Sequence, residues 1–206
     1  TKAVYEKIID LKLITPQMTI NYAHWLEEHN HFEESFKAYE RGIALFQFPH
    51  VTELWITYLT KFMRRYGGTK LERLRDLFEQ AIESAPAKES TLFYLMYADA
   101  EEKYGLARHV LHIFDRATRH VHADDRPFEV VVLDVNLVTQ VTDHVAVLFN
   151  LYLAKATEFF GVTRTREIFE KAIESLPEKQ VKEYCLRFAN LERKLGEIDR
   201  ARGIYI

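Results

Sequence analysis

The chain has 206 residues, and its 28 basic and 31 acidic side chains leave a formal net charge of −3, too near neutral for non-specific coating of nucleic acid to be its main activity. A hydrophobic content of 48%, with 14 Phe, 11 Tyr and 2 Trp beside only seven Gly and five Pro, describes a soluble globular chain of long helices rather than a turn-rich sandwich or barrel. The single cysteine, Cys185, cannot close an internal disulfide, and the longest apolar run, Leu92 to Ala98, falls far short of the roughly 20 residues that span a bilayer, so a reducing compartment and no membrane contact are expected.

Along the chain one short pattern recurs: apolar, aromatic, acidic, basic or Gln, small or apolar, then mostly Ile. It reads Val4-Tyr5-Glu6-Lys7-Ile8-Ile9, Ala38-Tyr39-Glu40-Arg41-Gly42-Ile43, Leu77-Phe78-Glu79-Gln80-Ala81-Ile82, Ile113-Phe114-Asp115-Arg116-Ala117-Thr118 and Ile168-Phe169-Glu170-Lys171-Ala172-Ile173. A sixth copy begins at Ile204-Tyr205. The marker aromatics Tyr5, Tyr39, Phe78, Phe114, Phe169 and Tyr205 are separated by 34, 39, 36, 55 and 36 residues, so four of five intervals fit one unit length. A second aromatic, Tyr22, Tyr58, Tyr97, Tyr152 or Phe188, precedes the next marker by 17, 20, 17, 17 and 17 residues.

Each unit therefore holds two segments, an upstream helix A and a marker helix B. Helical spacing is visible in both Tyr94, Tyr97, Ala98 and Glu101 and in Tyr184, Phe188, Leu191 and Leu195. Gly68, Gly105, Gly161 and Gly196, with Asn30 in the first unit, fall where a chain leaving helix A needs a left-handed residue. Pro16, Pro49, Pro86 and Pro177 fall where the next helix A starts; Pro127 does not. The small residues Gly42, Ala81, Ala117 and Ala172 would let neighbouring helices approach closely. One pair cannot bury both of its faces, so the fold class expected is all-α: an α-α superhelix, a right-handed solenoid of antiparallel helix pairs. Eleven helices are expected, with Tyr22, Tyr39, Tyr58, Phe78, Tyr97, Phe114, Tyr152, Phe169 and Phe188 buried. No secretory leader pattern opens the sequence, and both ends interrupt a helix B without a polar cap, so residues 1–206 are expected to be one solenoid fragment of a longer array.

The steps Tyr-Glu-Lys, Tyr-Glu-Arg, Phe-Glu-Gln, Phe-Asp-Arg and Phe-Glu-Lys resemble the half-a-TPR (HAT) repeat of RNA-processing scaffolds. Asn21-Tyr22-Ala23, the run from Phe32 to Gly42, Tyr58 to Phe62, Arg65-Tyr66-Gly67-Gly68, Lys70 to Arg73, Tyr104 to His109 and Lys194 to Arg202 narrow the match. Together they resemble the Syf-type pre-mRNA splicing factors, the XPA-binding, crooked-neck-like group of animals, over residues 1–122 and 147–206. The resemblance implies a nuclear, non-enzymatic scaffold of the spliceosome, associated with Prp19-related and intron-binding complexes, and in animals a link to transcription-coupled repair. Spliceosomal proteins would be its partners, with RNA met indirectly or through its backbone.

The residues themselves give an extended helical surface suited to holding partners. Two alternatives are a peptide-binding co-chaperone module of the tetratricopeptide kind, which needs a cationic clamp for a terminal carboxylate, and a direct RNA binder, whose affinity would fall steeply with salt. The phosphate-binding glycine loops, the His-Glu-x-x-His step and a cysteine pair are missing, so no enzyme, cofactor or small-molecule substrate is expected. His29 and His31, flanked by Glu27, Glu28, Glu33 and Glu34, have zinc or manganese donor types but fall in a turn that collects polar residues. His109 and His112 share a face without a third ligand. No metal site is expected. Cys185, one helical step from Phe188, reads as buried filler.

Lys2, Arg75, Arg166 and Arg202 each lie three residues before a marker, and helix A ends are acidic at Glu27, Glu28, Glu101, Glu102, Glu158 and Glu192. Pairing between the two helices of one unit is expected. The stretch Lys61, Arg64, Arg65, Lys70, Arg73 and Arg75 holds one acid, Glu72, and brackets a Gly-rich turn. It is the candidate contact for an acidic partner or for RNA phosphate, with Tyr66 its only stacking residue.

The interval from Phe114 to Tyr152 is 38 residues where 19 is usual, which marks 123–146 as an irregular insertion, crowded with valines that favour extended chain. It reads either as a projecting partner loop or as a stretch foreign to the native product. Both readings require the flanking helices to stack normally across it.

Overall fold

The computed structural model describes residues 2–120 and 144–204, and most of the insertion expected at 123–146 lies outside them. The chain divides into two compact units, Thr1–Gly105 and Leu106–Ile206. The first contains α1 (Lys2–Asp10), α2 (Pro16–Glu28), α3 (Phe32–Leu45), α4 (Thr52–Tyr66), α5 (Leu71–Ser84) and α6 (Ala87–Tyr104). The second contains α7 (Ala107–His120), α8 (His144–Phe160), α9 (Thr165–Ser175), α10 (Glu178–Lys194) and α11 (Ile198–Ile204). Short 3-10 turns, Gly67–Lys70 and Val162–Arg164, precede α5 and α9. Both units are all-α among the described residues, and the eleven α-helices match the number expected.

Helix boundaries follow local chemistry. Pro16 opens α2, where its missing N–H costs nothing, and the Thr15 hydroxyl accepts from the Met18 amide at 3.2 Å. Pro86 and Pro177 cap α6 and α10, whereas Pro49 lies three residues before α4; Pro127 is outside the described residues. Asn30, at φ 62°, takes the left-handed place after α2 as expected, but after α4 Gly67, at φ 48°, takes it rather than Gly68. Gly105 keeps a φ of −114°, so handedness does not explain it. A Cβ there would overlap the Glu101 carboxylate folded over it.

All nine aromatics expected in the core are buried. They stack in a fixed register: each marker ring lies on the helix A ring that follows it in sequence. Centroid separations are 4.7 Å for Tyr5 and Tyr22, 5.4 Å for Tyr39 and Tyr58, 5.0 Å for Phe78 and Tyr97, 6.0 Å for Phe114 and Tyr152, and 5.2 Å for Phe169 and Phe188. Interplanar angles stay between 7° and 17°. Such offset stacks contribute about 0.5–1.5 kcal/mol each beyond the area they bury. The fourth pair joins α7 to α8, so the helices flanking the long interval do stack in the regular way.

Small residues set how closely helices approach. Gly42, Ala81, Ala117 and Ala172 are all buried. A Cβ on Gly42 would sit 2.6 Å from Thr19 Cγ2 and 2.9 Å from Leu54 Cδ2, so α3 lies tight between α2 and α4. Cys185 departs from expectation: it is half-buried. It falls between Tyr184, which turns into the core, and the exposed Leu186.

Candidate functional site

The recurring arginine three residues before a marker does form a buried ion pair, with a partner other than the one expected. Arg75 Nε lies 2.5 Å from Glu101 Oε1 and Nη2 lies 3.0 Å from Oε2. Arg166 and Glu192 repeat the arrangement at 2.7 and 2.8 Å. In each case the base is on a helix B and the acid on the helix A that follows, so the fork ties consecutive units together instead of the two helices of one unit. Early-to-late pairing of this kind also shows that α5 and α6, and α9 and α10, run antiparallel. Glu101 is 1% exposed and Glu192 fully buried. A bidentate fork supplies the two donors a buried carboxylate needs. Lys2 instead reaches Glu34 on α3, and Arg202 pairs locally with Asp199.

The acid that follows the markers Tyr5, Tyr39 and Phe114 is a second tie. Glu6 accepts from the Tyr22 hydroxyl at 2.5 Å and from Arg41 at 2.6 Å. Arg41 is the base of the following marker. Asp115 accepts likewise from Lys171 at 2.5 Å, and also from Arg119. Where the following marker carries Gln80 in place of a base, Arg73 from the first turn of α5 reaches Glu40 at 3.0 Å beside the Tyr58 hydroxyl at 2.9 Å. The Tyr22 bond and then Arg41 hold the Glu6 carboxyl below its usual value, while burial first and the neighbouring carboxylate second push the Tyr22 and Tyr58 hydroxyls up. Tyr152 is pushed up to about 12 by burial and then by Asp115.

Four of the six candidate contact residues are committed inside the unit. Lys61 bonds Glu27 at 2.7 Å, Lys70 bonds Glu33 at 3.2 Å, Arg73 holds Glu40 and Arg75 holds Glu101. Tyr66 is committed too: it packs 4.9 Å from Phe62, lies under Lys70 and donates to Glu33. The Gly-rich turn is backed by the Tyr104 ring, 3.3 Å from where a Gly67 Cβ would lie. That leaves the exposed Arg64 and Arg65 at the end of α4. Arg65 stacks on the Phe32 ring with its guanidinium carbon 4.0 Å from the centroid.

These two arginines edge a groove of about 300 Å³ lined by Glu27, Phe32, Phe36, Lys61, Arg64 and Arg65. Glu27 Oε2 takes the Lys61 bond, whereas its Oε1 is buried with no hydrogen-bond donor. Phe36 is buried against Phe62, and Phe32 is half-buried. The sequence pointed to the arginines; it gave no sign of the phenylalanine floor, because Phe32 stands outside the marker step. Among the described residues no group of three His, Cys, Asp or Glu is placed to hold a metal ion, and no helix is long and apolar enough to cross a membrane.

Three relatives match the whole chain. The chain is 54% identical over 206 residues to the pre-mRNA-splicing factor SYF1 of Dictyostelium discoideum, covering 100% of the chain and 22% of that protein. It is 54% identical over 205 residues to SYF1 of Homo sapiens, again covering 100% of the chain and 22% of the relative. With cwf3 of Schizosaccharomyces pombe it shares 48% identity over 206 residues, 100% of the chain and 24% of the relative. The chain thus spans about a quarter or less of the length of the curated relatives it matches. The family model for the pre-mRNA-splicing factor Syf1/CRNKL1 C-terminal HAT repeat matches residues 1–206, running through the irregular interval as well. The chain belongs to the Syf1/CRNKL1 C-terminal HAT repeat family.

Proposed function

We propose that this chain is a protein-binding scaffold of pre-mRNA splicing, acting in the nucleus and performing no catalysis of its own. The observation that carries the reading is the family match over every residue, joined by 54% identity to splicing factors from organisms as distant as Dictyostelium and human. The physical chemistry agrees. Glu6, Tyr22, Tyr58 and Arg75, whose ionisation is shifted, spend their hydrogen bonds on joining one helix to the next, so here displaced pKa values serve architecture. What remains for other molecules is surface, and the partners are spliceosomal proteins, among them those of Prp19-related and intron-binding complexes. RNA contact is secondary, because most of the cations that would track phosphate are already bound to carboxylates. The same commitment leaves a co-chaperone reading only Arg64 and Arg65 for the clamp it requires.

Immobilising the chain in nuclear extract tests the proposal. Splicing subunits are expected in the bound fraction. Recovery of heat-shock proteins in their place would favour the co-chaperone reading, and loss of all bound protein on ribonuclease treatment would favour RNA.

A further inference from the structure

We propose that the groove between the end of α2, the start of α3 and the end of α4 receives an acidic segment of a partner protein. An apolar side chain of that segment would lie on Phe32 and its carboxylates on Arg64 and Arg65. The inference rests on the scaffold reading and names the chemistry of one partner.

Charge supplies the first argument. The lining holds three cations against one carboxylate, and the single carboxylate is already matched to Lys61. Among the described residues Arg64 makes no hydrogen bond or ion pair, and Arg65 makes only its face-on contact with Phe32. A guanidinium stacked by its face keeps all its N–H groups in the open plane, where they match the two oxygens of a carboxylate. Both arginines are thus uncompensated among the described residues, and Arg65 is oriented by Phe32 rather than by an internal acid. The Coulombic preference is for a negative occupant.

The floor chooses between negative occupants. RNA would offer phosphates and bases, but the Phe32 face that a base would take is covered by Arg65, and only two free cations face a polyanion that is normally followed by several. A peptide suits the same features better: an aliphatic or aromatic side chain fits the remaining apolar edge of Phe32 above the buried Phe36. Anchor and flanking acids define a short acidic motif.

The test uses the whole chain and a displayed library of dodecapeptides, followed by titration of the selected peptides in fluorescein-labelled form. Enriched peptides should carry two or more Asp or Glu around one Leu, Ile, Phe or Trp. R64E/R65E should weaken them by about a hundredfold, as expected for losing two charge-assisted contacts. R65K should weaken them by about tenfold, because it keeps the charge and loses the planar fork. Thermal unfolding of each variant separates lost binding from lost fold, and both substitutions lie at exposed positions. No enrichment, enrichment of neutral or basic peptides, or affinity unmoved in folded R64E/R65E overturns the proposal. So does displacement of the peptides' role by oligouridine that binds wild type tightly and the double variant weakly. If the peptides fail while splicing subunits are still recovered from extract, the groove assignment falls and the scaffold reading stands.

Discussion

The Glu101 carboxylate near the end of α6 closes on the Arg75 guanidinium near the start of α5 through two parallel contacts, and Gly105 leaves the space in which it does so. Glu192 and Arg166 repeat the geometry at the same sequence separation of 26 residues. Glu101→Ala takes the bidentate carboxylate from Arg75, which is only 19% exposed and keeps its contact with Glu72. The expected loss is about 2–3 kcal/mol, the low side of what breaking a buried pair costs because Arg75 still reaches water. Urea unfolding of the single variants and of Arg75→Met with Glu101→Leu checks it: the double variant should lie closer to wild type than Glu101→Ala does.

Gly42→Ala tests the close approach of α2, α3 and α4. The added methyl meets Thr19, which is buried, β-branched and hydrogen-bonded to the Thr15 carbonyl, so it cannot swing aside. Overpacking costs about 1–3 kcal/mol, offset by about 1 kcal/mol of helix propensity. A lower urea midpoint is expected. An unchanged or higher midpoint would show that the unit tolerates here the alanine found at the equivalent Ala81 and Ala172.

Tyr58→Phe removes the hydroxyl that shares Glu40 with Arg73 and leaves the ring stack on Tyr39 in place. A loss of about 1.5 kcal/mol follows, the low side for one hydrogen bond to a charged acceptor because Glu40 is part-exposed, with no change in helical circular dichroism. A loss several times larger would place the weight of this junction on the hydroxyl rather than on the rings.

Acid and alkali each remove an ionisation state that stabilises the fold. Glu6 has a folded value below its ordinary 4.5, so its contribution is full above that pH and is lost as pH falls through the folded value. Tyr152 has a folded value of about 12 against an ordinary 10.0, so its contribution is full below 10.0 and is lost as pH rises toward 12. Melting temperature against pH should fall at both ends. Tyr22→Phe, which removes the main cause of the Glu6 displacement and one raised phenol, should flatten the acid limb and soften the alkaline limb, to which Tyr39, Tyr58 and Tyr152 still contribute.

The helices, their turns and the buried rings were legible because each carries a local signal: Pro16 at a start, Asn30 at an end, Tyr22 and Tyr39 at helical spacing from other apolar residues. Which helix each ring and charge meets was not. A helix B has a helix A on either side at nearly equal sequence distance, so Arg75 could face back or forward on spacing alone, and only packing decides that it meets Glu101. The groove was half legible for the same reason. Arg64 and Arg65 stand out as charge, but their freedom depends on Lys61, Lys70 and Arg73 finding Glu27, Glu33 and Glu40 on neighbouring helices. Phe32 became part of a floor only when Arg65 came to lie on it.

The most direct measurement of the scaffold account is splicing by a chimera. Human SYF1 carrying this chain in place of its matching residues is added to nuclear extract depleted of the endogenous protein, beside SYF1 with those residues deleted. The account predicts that the chimera restores splicing of a reporter pre-mRNA and that the deletion does not. A deletion that restores splicing as well as the intact protein, or a folded chimera that restores none, would contradict it.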